Sequence, residues 1–69
     1  MKLHDIYIND LEDSIEFRID EEGNWIYVVK IHGENQDAIF QTFKDAKAYV
    51  NEKRDGQRGY NKWFIFREY

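Results

Sequence analysis

The sequence predicts an α+β fold in which a single helix covers one face of an antiparallel sheet of four to five strands. Residues 14–20 alternate apolar and polar side chains with a period of two, as in a strand with one buried face. Residues 43–54 instead place apolar side chains at helical spacing. Strand patterns precede this helix and one follows it, and strands segregated from a helix are typical of the α+β class.

Length and composition limit the chain to one small domain, which we expect to span residues 1–69. The chain has no cysteine, so neither a disulfide nor a thiolate metal site can stabilise it. Hydrophobic residues make up 42% of the chain and aromatic residues 17%, which is enough to build a buried core. No apolar run approaches the ~20 residues that cross a bilayer, and the first residues lack a signal-peptide core. We therefore expect a cytoplasmic protein without a membrane contact.

Five segments are predicted strands, separated by turns and, before the last, by the helix. They are residues 6–8, 14–20, 25–31, 38–41 and 62–69. Gly23 supplies the positive φ of a hairpin turn, and Gly33 marks the next turn. The third and fifth segments are apolar on both sides, which is typical of a central strand or of a strand that faces a partner.

The helix is predicted to begin after Thr42, whose hydroxyl caps the first turn, with Asp45 placed as in a capping box. We expect Gly56 to end the helix at the C′ position. One stripe of the helix faces the sheet in this prediction. Its members are Phe43, Ala46, Tyr49 and Val50.

Charge is distributed unevenly along the chain, whose net charge is −4. Residues 1–22 carry two basic and eight acidic side chains, and residues 42–69 carry seven basic and four acidic ones. Such asymmetry suggests a charged partner, and the acidic third is also a candidate mimic of nucleic acid. The alternative is that the two thirds pair with each other across the sheet or are simply solvated.

The candidate binding residues are cations and aromatic side chains, the usual anchors of protein interfaces. They are Arg54, Arg58, Tyr60, Lys62 and Trp63 in and after the loop 54–62, and Trp25 and Tyr27 on the third strand. Glycines in the loop allow its backbone to approach a partner closely. The alternative is a solvated connection between helix and strand.

Aromatic side chains outnumber the positions that one helix can cover. Those in excess are Trp25, Tyr27, Tyr60, Trp63, Phe64, Phe66 and Tyr69. Because the helix shields one side of the sheet only, aromatics exposed on the other side would indicate a protein partner or a homodimer.

The start of the helix carries the motif Phe40-x-Thr42-x-x-Asp45-Ala46. With the strand and turn before it, this pattern resembles the sheet-plus-helix DNA-binding domains of the ethylene-response type and the arm-binding domains of tyrosine integrases. The resemblance covers roughly residues 15–53. It implies a three-stranded sheet that lies in the DNA major groove and is braced by the helix.

By this resemblance, base contacts would fall near Trp25, Tyr27 and Lys30. The neighbouring strand carries the carboxylates Glu16 and Asp20, with Arg18 between them. These carboxylates oppose DNA binding, which is driven by counterion release to Lys and Arg. A nucleic acid is therefore the alternative partner, disfavoured by charge, and a protein is the expected one.

Catalysis is not predicted. His4 and His32 are the only histidines and lack metal-ligand spacing, and Ser14 is the only serine and lies beside a predicted turn. We expect no catalytic residue, no metal site and no cofactor. The sequence favours a non-enzymatic module for protein–protein interaction, by analogy with small accessory or inhibitor proteins of phages and mobile elements. A DNA-binding module that uses the sheet face is the alternative.

Overall fold

The computed structural model describes residues 4–68, with side chains described for residues 5–66. Five strands and one helix make up this part of the chain. They are β1 (His4–Asn9), β2 (Ser14–Ile19), β3 (Trp25–Lys30), β4 (Ala38–Phe40), α1 (Phe43–Lys53) and β5 (Trp63–Glu68).

The strands form one antiparallel sheet in the order β4-β3-β2-β1-β5, which confirms the predicted α+β fold. The first four strands are neighbours in chain order, whereas β5 returns across the molecule to pair with β1. β1 extends beyond the predicted residues 6–8 because it pairs with a strand on both sides. Most other strand bounds differ from the prediction by one residue, and the part of the prediction that concerns Tyr69 lies outside the described residues.

The helix packs on one side of the sheet, called here the helix side, and the opposite side is called the open side. On the helix side, the register places Tyr7, Ile15, Val29 and Ala38 in one row across four strands. The buried core lies between this side and α1. It consists of Ile15, Val29, Ile31, Ala46 and Val50.

The helix start agrees with the prediction. Thr42 is the N-cap residue, its backbone is extended, and its Oγ1 accepts a hydrogen bond from the Asp45 N–H at 3.1 Å. Ala46 and Val50 are fully buried, which confirms the predicted stripe. The C-cap is Arg54, so Gly56 lies one residue beyond the C′ position predicted for it.

The helix covers only part of the sheet, because it packs chiefly on β3 and β4 at one edge. β5 forms the opposite edge. The loop 54–62 carries the chain from the helix to β5 and passes the β1–β2 turn. There the Asp10 N–H donates to the Gly59 carbonyl at 3.4 Å. This route leaves β5 outside the cover of the helix.

The two hairpin turns that flank β2 have the same construction. In each, a side-chain oxygen of Asn9 or Asp20 accepts hydrogen bonds from the N–H groups two and four residues further on. The fourth residue of each turn has a positive φ, +66° at Glu12 and +87° at Gly23. The predictions of a turn between the first two strands and of a positive φ at Gly23 are confirmed. The positive φ at Glu12 was not predicted, because no glycine marks it.

Within residues 4–68, α1 is too short and too polar a helix to cross a membrane.

Candidate protein-binding surface

β5 exposes apolar side chains on both sides of the sheet. Phe64, Ile65 and Phe66 are 53%, 57% and 54% exposed. Alternation along the strand turns the two phenylalanines to the open side and Ile65 to the helix side, beyond the reach of α1. A six-residue edge strand with this exposure is unusual, because natural sheets blunt their edges with charges, proline or very short strands.

The exposed side chains of β5 join those of β1 into one apolar patch on the open side. Phe64 lies opposite Ile8 and Phe66 lies opposite Ile6 in the antiparallel register, and the two isoleucines are half-buried. We call these four residues the apolar patch.

The apolar patch ends at β2, where polar side chains begin on the open side. Glu16 lies opposite Ile6, and its Oε1 is 3.2 Å from Nη1 of Arg18. Further across the open side, Val28 is buried between its register neighbours Glu16 and Ile39. The exposed apolar surface is therefore concentrated at the β1–β5 edge, and Ile39, 62% exposed, stands apart from it at the other edge.

A buried ion pair joins the start of the loop 54–62 to the turn between β1 and β2. Asp13, fully buried, accepts hydrogen bonds from Arg54 Nη2 at 2.6 Å and Nε at 2.9 Å. It also accepts from the His32 N–H at 2.9 Å and from Asn9 Nδ2 at 3.1 Å. The two-pronged contact of a guanidinium with a carboxylate is among the strongest hydrogen-bonding arrangements in proteins.

This environment changes the acidity of Asp13. Burial by itself raises the pKa of the carboxyl group. The hydrogen bonds from Arg54, His32 and Asn9, together with the charge of Arg54, outweigh burial and hold the pKa below its ordinary value of 3.8. Asp13 therefore stays ionised and keeps Arg54 in place.

Sequence-predicted binding residues of the loop fall into two groups. Arg54 is engaged by Asp13, and Tyr60 and Trp63 pack against the buried core. Arg58 and Lys62 are exposed, and neither forms an ion pair within the described part of the chain. The structure thus leaves two cations beside the start of β5 for contact with a partner.

The candidates on the third strand lie on the helix side. Trp25 and Tyr27 both stack on Phe17, with ring centroids 4.6 Å and 4.7 Å away. Trp25 is 46% exposed and Tyr27 is half-buried. Lys30, which the resemblance groups with them, has the opposite parity on β3 and projects on the open side. The three residues do not share a surface, and DNA binding stays a prediction.

The acidic residues of the first third do not form one surface. Asp10, Glu12 and Asp13 belong to the β1–β2 turn, whereas Asp20 and Glu22 belong to the β2–β3 turn. The six residues of β2 separate the two turns by about 20 Å, and Asp13 is neutralised in the interior. This scattering removes the basis of the nucleic-acid mimicry hypothesis.

Metal-binding groups do not cluster in the described residues, where no three His, Asp or Glu side chains are placed to hold an ion. His32 Nδ1 lies 3.5 Å from a Glu12 carboxylate oxygen on an exposed turn. The side chain of His4, the other histidine, lies outside the described ones.

No protein-family model matches the chain, and neither a curated protein nor a solved structure matches it significantly.

The aromatic excess is predictable from the sequence, but most of the predicted binding residues lie outside the apolar patch. Ile65 was not singled out, although its neighbours Phe64 and Phe66 were counted among the excess aromatics. The signal was present: residues 63–66 are apolar at every position, so one side of the strand must face away from the core. The Asp13–Arg54 pair was also missed, since 41 positions separate its members.

Proposed function

We propose that this chain is a small, non-enzymatic cytoplasmic module that acts by binding another protein through the apolar patch. The observation that supports it is the exposure of Phe64 and Phe66 beside Ile6 and Ile8, on a side of the sheet that the helix does not cover. Exposed aromatic clusters with a polar border are typical of protein interfaces.

The charges around β5 indicate the chemistry of the partner. Arg58 and Lys62 lie just before the strand, and no acidic residue occurs between Asp55 and Glu68. The chain as a whole is acidic, so this cationic segment stands out against its net charge of −4. A fitting partner presents an apolar surface bordered by carboxylates, which would also steer the encounter.

Affinity capture from an extract of the native cell tests this proposal. The purified chain and a Phe64→Ser/Phe66→Ser variant are immobilised side by side, and the retained proteins are identified by mass spectrometry. We expect at least one protein that the unaltered chain retains and the variant loses, because both patch aromatics are removed.

The matched control is Ile39→Ser, which removes an exposed apolar side chain from the same side of the sheet at its far edge. It should retain the same protein as the unaltered chain. Circular dichroism must show that all three proteins are folded. Loss of the retained protein in the control but not in the patch variant would refute the proposed surface, and salt-sensitive retention of duplex DNA would favour the rival function.

A further inference from the structure

The outer edge of β5 is a structural feature distinct from the apolar patch. β5 is the last strand in the sheet order and pairs with β1 on one side only. Within the described chain no strand pairs with its other side, which presents backbone N–H and C=O groups over residues 63–68. Such an edge is a template for another strand.

The two edges of the sheet differ in their protection. β4 has three residues and packs against α1, which limits its capacity to pair with a further strand. β5 has six residues, and the chain contains no proline that would interrupt its ladder. The edge formed by β5 is therefore the less protected of the two.

Symmetry restricts how two copies of β5 can pair. Antiparallel pairing of identical strands requires a two-fold axis perpendicular to the sheet, and this axis keeps every residue on its own side. Two residues that face each other in the dimer must therefore lie an even number of positions apart in the sequence. The two-fold axis consequently passes midway between the two copies of one central residue. Each choice of central residue gives one register.

The register centred on Ile65 is self-complementary. It places Lys62 opposite Glu68 of the second copy, Phe64 opposite Phe66, and Trp63 opposite Arg67. These are opposite-charge, aromatic and cation–aromatic pairs, each of a kind that stabilises neighbouring strands. The register centred on Phe66 instead opposes Glu68 to Phe64, and the register centred on Phe64 leaves both Lys62 and Glu68 without an opposite charge.

We propose that β5 pairs with β5 of a second copy of this chain, antiparallel and centred on Ile65. The result is a continuous ten-stranded sheet with both helices on the same side. Phe64 and Phe66 of the two copies then form one cluster of four rings on the open side, which joins the two apolar patches into a single larger one.

Sedimentation velocity over a range of concentrations tests the dimer. The unaltered chain should approach the mass of a dimer as concentration rises. Ile65→Asp should remain a monomer, because two carboxylates would face each other at the axis. Ile39→Asp, the same change on an exposed residue of the other edge, should dimerise as the unaltered chain does.

Exchange of charges tests the register. Lys62→Glu and Glu68→Lys each turn two attractive contacts of the dimer into repulsive ones. The dissociation constant of the dimer should therefore rise about tenfold for each variant alone. An equimolar mixture of the two variants should dimerise again, since each introduced charge meets an opposite charge in the heterodimer. The double variant should also recover.

The proposal is overturned if the unaltered chain is a monomer at every concentration, or if Ile65→Asp leaves the dimer intact. A mixture that behaves as its separate components overturns the register. Ile65→Asp leaves the open side unchanged, so it should still capture the protein partner even though it does not dimerise. The dimer and the proposed function can therefore fail independently. If hydrogen exchange of the β5 amides slows only after a different protein is added, the edge of β5 binds that protein and not a second copy of the chain.

Discussion

Asp13 is the residue at which three separate segments of the chain meet. It receives hydrogen bonds from the β1–β2 turn, from the residue after β3 and from the end of α1. A buried charge is tolerated only when it is paired and fully hydrogen-bonded. Four donor contacts satisfy the two oxygens of Asp13, and Arg54 neutralises the charge.

Replacement of Asp13 by Asn should lower the free energy of unfolding by about 3 kcal/mol, because Arg54 is left without its buried partner. Urea denaturation followed by circular dichroism measures this loss. Asp10→Asn is the control, since it makes the same change on an exposed residue of the same turn. It should cost no more than about 0.5 kcal/mol; equal losses in the two variants would contradict the role given to the ion pair.

The pH dependence of stability follows from the same pair. The pKa of Asp13 is lower in the folded chain than its ordinary value of 3.8. As pH falls below 3.8, the unfolded chain therefore binds more protons than the folded chain, and stability decreases until the pH has passed the folded pKa. Above pH 3.8 the contribution is fully present. Asp13→Asn should lose this part of the acid sensitivity.

At the scale of elements, the small side chain of Ala46 determines how closely α1 packs on the sheet. Ala46 is fully buried and allows the helix to approach β3 and β4 closely. Ala46→Asp should abolish cooperative thermal unfolding, because it places an unpaired carboxylate in the core. Ala48→Asp, on the exposed surface of the same helix, should cost less than about 1 kcal/mol. An unchanged melting temperature for Ala46→Asp would mean that another surface of the helix faces the sheet.

The helix cap gives a smaller and more local effect. Thr42→Ala removes the hydroxyl that accepts the Asp45 N–H and should destabilise the chain by about 1 kcal/mol. Thr42→Ser retains the hydroxyl and should recover most of that loss. Chemical denaturation of both variants measures the difference, and equal stabilities would argue against a capping role.

The elements were predictable because their signals are local. The alternation of Ile15, Phe17 and Ile19, the N-cap at Thr42 and the stripe through Ala46 each depend on a few neighbouring residues. The pairing of β5 with β1 was not predictable, since it joins segments more than fifty positions apart. Arg54 shows the same limit: a cation in a glycine-containing loop indicates a partner contact, and only the fold brings Asp13 to it.

At the scale of the whole molecule, the position of the helix decides which surfaces are free. α1 lies over the β3–β4 edge, and the chain then crosses to the opposite edge to form β5. An aromatic strand is thereby placed where nothing in the described chain covers its open side. We propose that this strand binds a partner, whereas the Asp13–Arg54 pair and the core stabilise the fold.

Isothermal titration of the captured partner into the unaltered chain, Phe66→Ser and Ile39→Ser measures whether binding depends on the apolar patch. We expect the Kd for Phe66→Ser to rise by at least about tenfold, which is the effect of losing one aromatic anchor. The Kd for Ile39→Ser should stay within about twofold of the unaltered value. Equal affinities for the unaltered chain and Phe66→Ser would contradict the assignment of binding to the apolar patch.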